Sequence, residues 1–199
     1  ERLFQVTGGA LLRIESLHLL NNASSLPFEG CSYSSVPPII ECAGGVIYAY
    51  QAHVELVGCT VRDTLGGYRG GGLMLIGSSG LFINCTFTRL TASWASAIYA
   101  YDGSSSVVES SVFHDNEAFQ TATTMSCACF SSSFPSLRLG SAVVEPNLSR
   151  ACVVITSHTV LRDSAFTSNR GGPTVWGLGG TMTLTRLTLH DTPGARALA

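Results

Sequence analysis

Hydrophobic residues recur along the chain in a short unit of fixed spacing. Each unit has an apolar residue, two further positions, a Leu, Cys or Ser, one further position and a second large apolar residue. In the unit FINCTF these residues are Phe82, Cys85 and Phe87. The six units begin at residues 14, 56, 82, 108, 161 and 184, so two steps are 26 residues long and one is 23.

A second apolar segment precedes most of these units. It has two small or turn-forming residues followed by apolar ones, as in GGVIYAY, GGLMLI, SAIYAY, SAVV and PTVWGL, which start at residues 44, 71, 96, 141 and 173. The segments are too short for helices, and their apolar positions lack a helical period. The pattern therefore predicts two or three short strands in every repeat.

A period of 23 to 26 residues built from short strands is typical of a parallel β-helix. One coil cannot bury its inward side chains alone, whereas stacked coils bury a continuous core. Coils stack at about 4.8 Å, which is the spacing between neighbouring strands. We predict a single all-β domain over residues 1–199 with about six coils, in which Leu56, Phe82 and Val108 are vertical neighbours.

The repeats resemble those of a known superfamily. GGAL at 8–11, GGVI at 44–47, FHDN at 113–116 and FTSN at 166–169 resemble the GGA-[ILV] and FxxN repeats of polymorphic outer membrane protein adhesins. More broadly, the chain is similar to the right-handed parallel β-helix superfamily, which includes pectin-lyase-like enzymes. The resemblance covers most of the chain and implies a right-handed solenoid. It implies no particular activity, because one fold hosts many functions.

Two segments interrupt the repeat, at residues 23–43 and 117–140. Loops of this length are uncommon in compact domains. Both segments contain cysteine, so we expect them to be pinned in place. The chain starts at Glu1 rather than Met, and no polar cap is recognisable at either end. We therefore expect the sequence to be a piece of a longer protein.

The seven cysteines are an odd number, so at least one has no disulfide partner within the chain. Cys59 and Cys85 fall at the same position of adjacent coils, and we predict that they are buried free thiols. The motif CxC at 127–129 has no second CxxC or matched His pair, so we predict no zinc site. The candidate disulfides are Cys31 with Cys42, and Cys152 with either Cys127 or Cys129.

The composition is low in charge, which limits the classes of partner. Charged residues make up 12% of the chain, the net charge is −2 and every basic residue is Arg. Such a surface has no basic field for nucleic acid or an anionic membrane. No apolar run reaches the roughly 18 to 20 residues of a membrane span. The low charge indicates that partner subunits or glycans cover part of the surface.

Three sequons for N-glycosylation are present, at Asn22, Asn84 and Asn147. Asn84 is favoured on steric grounds, because its neighbours in the adjacent coils are the small residues Gly58 and Ser110. Sequons together with loop cysteines favour an extracellular or secretory setting.

One charged column is a candidate catalytic site. Asp63, Arg89 and Asp115 fall at the same position of successive coils, so their charges would lie about 4.8 Å apart. Two carboxylates two coils apart would approach the spacing of about 6.5–9.5 Å that inverting glycosidases use. We favour a structural ladder, because opposite charges on neighbouring strands stabilise each other, as Glu109 and Arg162 would also do. The NTD, DD, GHG and RIK signature of polygalacturonase-like enzymes is absent, so the resemblance carries over no catalytic residue.

Aromatic residues of the second strand form another candidate site, with Tyr48, Tyr99 and Trp176 in one column and Tyr50 and Tyr101 two residues further on. The residues just before them are expected to point inward, so alternation places part of this ladder outside. An outward aromatic stripe would bind glycan faces or a partner protein. The alternative is a flattened coil that takes the aromatic rings into its core.

The sequence therefore favours a non-catalytic module of an extracellular or cell-surface protein. It would act as a scaffold or as an adhesion or assembly subunit, with other protein subunits or cell-surface glycans as partners. We expect no cofactor, no metal and no nucleic acid partner. The alternative function is a polysaccharide lyase or glycoside hydrolase of the pectin-lyase-like type, with Asp63, Asp115 and Arg89 as its catalytic residues.

Overall fold

A computed structural model gives the architecture of the chain. The structure describes residues 2–21, 33–35, 38–40, 45–65, 70–92, 95–118, 154–156, 158–170, 175–177, 181–190 and 197–198. Within these ranges every regular element is a β-strand. The predicted all-β class is therefore confirmed.

Three parallel sheets run along the solenoid, and each coil adds one strand to each of them in turn. Sheet A contains β1 (Phe4–Thr7), β6 (Ile47–Tyr50), β9 (Leu73–Ile76), β12 (Ile98–Tyr101), β16 (Val154–Thr156), β19 (Val175–Gly177) and β22 (Ala197–Leu198). Sheet B contains β2 (Leu11–Glu15), β7 (His53–Val57), β10 (Ser79–Ile83), β13 (Ser105–Glu109), β17 (His158–Arg162) and β20 (Met182–Thr185). Sheet C contains β3 (His18–Leu20), β8 (Thr60–Leu65), β11 (Thr86–Ala92), β14 (Val112–His114), β18 (Ala165–Thr167) and β21 (Thr188–His190).

The register of these sheets confirms the predicted stacking. Phe82 pairs with Leu56 on one side and with Val108 on the other, all in parallel strands. Among the described strands, six coils contribute to all three sheets, and β22 adds a seventh strand to sheet A. A separate antiparallel hairpin joins β4 (Tyr33–Ser35) to β5 (Pro38–Ile40) within the first predicted excursion.

Two predicted boundaries in the second half of the chain are wrong. The excursion does not begin at residue 117, because β15 (Glu117–Ala118) still pairs with the end of β11. The sheet A strand of the fifth coil is β16 at 154–156 rather than the segment SAVV at 141–144. A short segment of small and apolar residues does not by itself identify the strand, because pairing with β12 decides which segment joins the sheet.

The core consists of inward columns that repeat from coil to coil. In sheet C the rings of Phe87, Phe113 and Phe166 stack with centroids 4.8 and 4.7 Å apart and nearly parallel planes. This separation equals the coil spacing, so parallel stacking follows directly from the register. In sheet B the large ring of Phe82 is accommodated by Gly80, whose added Cβ would lie 2.6 Å from the Phe82 Cζ atom.

The corners between sheets repeat as strictly as the strands. Between sheets B and C every coil has one residue in the left-handed backbone region, and in two of the six coils that residue is Asn84 or Gly58. The full column is Ser16, Gly58, Asn84, Ser110, Asp163 and Arg186. Gly, Asn and Asp are the residues best suited to this conformation. The stacked hydrogen bonds of the flanking strands therefore hold the other three residues, Ser16, Ser110 and Arg186, in it.

Small polar side chains fasten each corner to the next coil. The Ser111 hydroxyl donates to the Glu109 carbonyl oxygen and accepts from the backbone N–H of Cys85. Ser164 repeats both bonds one coil further on. The Cys85 thiol likewise donates to the carbonyl oxygen two residues before it, Ile83. Thiols and hydroxyls thus occupy one structural column, which explains the Leu, Cys or Ser position of the repeat.

Candidate functional site on the outer faces

The charged column at the end of sheet C forms as predicted. Arg89 donates to both carboxylate oxygens of Asp63, with an Nε–Oδ1 distance of 2.5 Å and an Nη2–Oδ2 distance of 2.8 Å. Asp115, in the coil beyond Arg89, lies 2.8 Å from the Nε2 atom of His114. His114 Nδ1 is 2.9 Å from the Thr167 hydroxyl oxygen. The structure therefore brings Asp63, Arg89 and Asp115 together on one surface.

The electrostatics of this column fit a structural ladder. The hydrogen bonds from Arg89 hold the pKa of Asp63 below its ordinary value, with burial acting in the opposite direction. An aspartate held ionised in this way is a poor general acid, because an acid catalyst needs a raised pKa. The predicted pair Glu109–Arg162 also forms, and a further pair, Asp163–Arg186, repeats the arrangement, each with an N–O distance of 2.5 Å. The hydrogen bond from Arg186 lowers the pKa of Asp163 in the same way.

Two polar atoms beside this ladder are buried and have no hydrogen-bond partner among the described residues. They are Arg62 Nε and Thr88 Oγ1, which lie in register on adjacent coils. Arg62 otherwise contacts Asp63, with Nη1 3.5 Å from Oδ2. A polar ligand or a water molecule at this point could satisfy both atoms. This is the chemical feature of the ladder that the sequence analysis missed, and no sequence signal marks it.

The outer face of sheet B carries an apolar patch that the sequence analysis also missed. Outward positions of four successive coils are aliphatic and half-buried by their own sheet neighbours. We call these residues the sheet B patch: Val57, Leu81, Ile83, Val107 and Val160. The available sequence signal was the doublet of apolar residues in GLFI, SVVE and TVLR, where one residue must face outward.

Polar and charged side chains surround the sheet B patch. Arg13 pairs with Glu55 below it, at an Nη1–Oε2 distance of 3.4 Å, and Glu109 pairs with Arg162 beside it. The rest of the rim includes two imidazole–hydroxyl pairs, His53 with Ser79 and His158 with Thr181. It also includes the outward threonines of the sixth coil, Thr183 and Thr185. An apolar centre with a polar rim is the arrangement found in protein–protein interfaces.

The predicted aromatic stripe on sheet A is wrong in its exposure. Tyr48 and Tyr99 lie on the outer side of their strands, because Ile47 and Ile98 take the inward positions. Both tyrosines are nevertheless only 1% exposed. They belong to a second hydrophobic cluster, separate from the coil interior, that also contains Met74, Ile76 and Ala95. A buried ring cannot present its face to a glycan.

Other contacts of this second cluster explain part of the burial. The guanidinium carbon of Arg2 lies 4.3 Å above the ring centroid of Tyr48, within the range of a cation–π contact. Tyr50 and Tyr101 pack against the cluster and are half-buried. The side chain of Trp176 lies outside the described residues.

The comparisons with known proteins agree with this architecture. The family described as right-handed β-helix region matches residues 17–189. The chain belongs to the right-handed β-helix family. No curated protein and no solved structure gives a significant match. Because this family is defined by its architecture, function has to be argued from the outer faces of the solenoid.

The predicted modification sites of this β-helix fall partly within the described residues. Asn84 is exposed at a corner, and its column neighbours are Gly58 and Ser110, as the sequence analysis expected. Asn22 and Asn147 lie outside the described residues. So do all candidate disulfide cysteines: Cys31, Cys42, Cys127, Cys129 and Cys152.

Cys59 and Cys85 are free and buried, as predicted. Burial raises the pKa of the Cys85 thiol and keeps it protonated, so it is a poor nucleophile. No cluster of three or more His, Cys, Asp or Glu that could hold a metal ion occurs in the part of the chain that the structure describes. The same residues contain no helix of the length and hydropathy needed to cross a membrane.

Proposed function

We propose that this β-helix is a non-catalytic extracellular or cell-surface module that acts as a scaffold or as an adhesion or assembly subunit. The observation that carries this proposal is the sheet B patch with its rim of paired charges. An apolar patch that runs over several strands and is bordered by polar residues is typical of an interaction site. The low overall charge of the chain supports the same interpretation, since much of the surface is suited to contact with a partner.

The chemistry of the sheet B patch favours a protein partner over a glycan. Glycan faces are recognised by stacking on exposed aromatic rings, and Tyr48 and Tyr99 are buried. Aliphatic side chains on a flat sheet instead fit an apolar protein surface, with the Glu109–Arg162 and Arg13–Glu55 pairs at the margin. The narrower similarity of the repeats to polymorphic outer membrane protein adhesins is consistent with this role.

An adhesion assay tests the proposal. Beads coated with the protein are applied to monolayers of cultured cells and the retained beads are counted. Val107→Lys should abolish retention, because it places a charge at the centre of the sheet B patch. Thr183→Lys makes the same charge change in the same column at the rim of the patch, where truncation or change of a side chain costs little, and should reduce retention far less. Equal retention of both variants, or no retention of the wild type above uncoated beads, would refute the adhesion role.

We also propose an N-linked glycan on Asn84. Secretion of the protein from eukaryotic cells, followed by intact-mass measurement before and after glycosidase and reductant, reports glycans and disulfides together. Asn84→Gly should remove one glycan mass and leave the fold intact, because Gly58 already occupies the same corner of the previous coil. An unchanged mass in Asn84→Gly would contradict the assignment.

The second candidate function is a polysaccharide lyase or glycoside hydrolase. The unpartnered Arg62 Nε and Thr88 Oγ1 atoms favour it, because they are buried polar groups without a hydrogen-bond partner beside the carboxylate of Asp63. Depolymerisation of acidic polysaccharides, followed by reducing ends and unsaturated products, tests it directly. Turnover by the wild type that is lost in Asp63→Asn would establish the enzyme and defeat the non-catalytic proposal.

A further inference from the structure

The turn that joins sheet A to sheet B has different lengths in neighbouring coils. The segments 47–56, 73–82 and 98–108 begin at paired residues of sheet A and end at paired residues of sheet B. The first two segments are equally long, and the third is one residue longer. The fourth coil therefore accommodates an extra residue in its turn, where the sequence is Asp102-Gly103.

Asp102 and Gly103 form a tight turn on the surface of the solenoid. Both have left-handed backbone, with φ of 57° and 73°, and the N–H of Ser104 donates to the carbonyl oxygen of Tyr101 at 3.3 Å. Two positive φ values in a turn closed in this way are typical of type I′, for which Asp-Gly is a favoured sequence. Both residues are exposed, and a Cβ added to Gly103 would meet no atom within 4 Å.

The reactive groups of this turn are not held by hydrogen bonds. Within the described part of the chain, the Asp102 carboxylate makes no ion pair or hydrogen bond, and the N–H of Gly103 donates to no acceptor. Glycine has no side chain that would hinder the approach of the carboxyl group to the backbone nitrogen. These are the two groups that react when an aspartyl residue cyclises onto the amide that follows it.

Three other aspartates have left-handed backbone, and the structure holds each of them. They are Asp63, Asp115 and Asp163, with φ of 52°, 53° and 52°. Asp63 and Asp163 accept hydrogen bonds on both carboxylate oxygens from an arginine of the next coil. After Asp115, the N–H of Asn116 donates to the side-chain oxygen of the next asparagine in its column. Of these four aspartates, Asp102 alone has both reacting groups free in the part of the chain that the structure describes.

We propose that Asp102 is a site of spontaneous isoaspartate formation in the folded protein. The backbone nitrogen of Gly103 attacks the carboxyl carbon of Asp102 and forms a C–N bond. The carboxyl hydroxyl group and the proton of the nitrogen leave together as one water molecule. Water then opens the succinimide ring at the carbon of the original backbone carbonyl, so that the main chain runs through the former side-chain carbon. One water molecule is released and one is consumed, so solvent is the only co-reactant.

The modification adds one carbon atom to the backbone of an exposed turn. Strands β12 and β13 on either side pair with strands of the neighbouring coils, so they should stay in place. The turn lies outside the sheet B patch, and the proposal does not depend on the adhesion role. Val107→Lys should leave the rate at Asp102 unchanged, so the two proposals can fail separately.

Peptide mapping by mass spectrometry tests the proposal. The folded protein is incubated at neutral pH in water labelled with heavy oxygen, and a second sample is incubated in urea. We expect isoaspartate with one heavy oxygen atom at Asp102, formed in the folded protein within about tenfold of its rate in urea, because exposed turns open at little cost. Asp63, Asp115 and Asp163 are internal controls. Each is compared with its own rate in urea and should be protected by more than about tenfold, since its groups are held.

Asp102→Gly is the control for the assignment of the label. Gly8 and Gly9 have left-handed backbone at the turn from sheet A to sheet B in the first coil, so two consecutive glycines fit this turn. The label at this turn should disappear in the variant, and circular dichroism shows whether the variant is folded. The wild-type samples test the proposal without the variant. Absence of isoaspartate at Asp102, protection of Asp102 equal to that of the three controls, or a label that persists in Asp102→Gly would overturn the proposal.

Discussion

Replacing Asn116 with Ala should destabilise the protein more than any other single loss of a polar side chain described above. Asn116 is completely buried in the corner that follows sheet C. Its Oδ1 atom accepts from the backbone N–H of Leu90 at 3.1 Å, and its Nδ2 atom donates to the Phe87 carbonyl oxygen at 3.0 Å. Nδ2 also donates to Oδ1 of Asn169 in the next coil at 3.0 Å. One amide thus connects three coils.

The magnitude follows from the groups that the substitution leaves unpaired. Asn116→Ala removes all three hydrogen bonds. It leaves the N–H of Leu90 and the carbonyl oxygen of Phe87 without their side-chain partner in a buried corner. Each buried unpaired group costs about 1–3 kcal/mol. Because the carbonyl oxygen has a second lone pair for its strand partner, we expect a total loss of about 2–5 kcal/mol. That is a large fraction of the roughly 5–15 kcal/mol that stabilises a typical domain.

Urea denaturation followed by circular dichroism measures this loss as a change in the free energy of unfolding. Asn84→Gly is the control, because Asn84 is exposed and Gly is suited to its left-handed backbone, so the change should stay within about 0.5 kcal/mol. The slope of the transition should be the same for both variants if unfolding stays cooperative. A loss for Asn116→Ala below about 1 kcal/mol would refute the reasoning that the stacked side-chain amides of Asn116 and Asn169 hold the coils together.

Three further changes test the repeat. Cys85→Ser should alter the free energy of unfolding by less than about 1 kcal/mol, because Ser111 makes the same corner hydrogen bonds one coil further on. Gly80→Ala should cost about 1–3 kcal/mol, because its Cβ would lie 2.6 Å from the ring of Phe82. Asp63→Asn should destabilise the protein at neutral pH only. The pKa of Asp63 is lowered in the folded state, so the stability it contributes is present above the ordinary aspartate pKa near 4 and is lost as the pH falls below it.

Each of these three predictions has its own control. Cys85→Val cannot donate to the Ile83 carbonyl oxygen and should cost more than Cys85→Ser. Phe82→Leu should reduce the penalty of Gly80→Ala, and additive losses in the double variant would mean that the ring is not the cause. For Asp63→Asn, the difference from wild type should vanish at acid pH, and a difference that is constant from neutral to acid pH would contradict the ion-pair argument.

The pattern of apolar residues was sufficient to predict the stacking of the coils. A β-helix repeats one local geometry, so residues 26 apart, such as Leu56 and Phe82, report directly on spatial neighbours. The charge pairs follow from the same register, and Asp63 with Arg89 and Glu109 with Arg162 were both predicted correctly. Even the buried state of Cys59 and Cys85 follows, because a column position of an interior coil has a neighbouring coil on both sides.

The exposure of the aromatic ladder could not be predicted in this way. Alternation along a strand shows which side of the sheet Tyr48 and Tyr99 are on, and that part of the prediction agrees with the structure. Whether the outer side is exposed to solvent or covered depends on residues outside the strand that pack against it, including Arg2 and Ala95. No position of the repeat predicts these contacts. The position of β16 in the sequence could not be predicted either, because a long interruption breaks the regular spacing by which the other strands are identified.

The sequence by itself determined the repeat, its register and the ladders of like residues. Each of these depends only on the spacing of residues within one coil, which recurs in every coil of the stack. The tertiary structure alone decided which surfaces are accessible. It showed that Tyr48 is buried, that Val107 lies in a half-buried apolar patch on the outer face of sheet B and that Leu189 is 46% exposed. Accessibility depends on everything that packs around a residue, and the spacing of apolar residues contains no information about those distant neighbours.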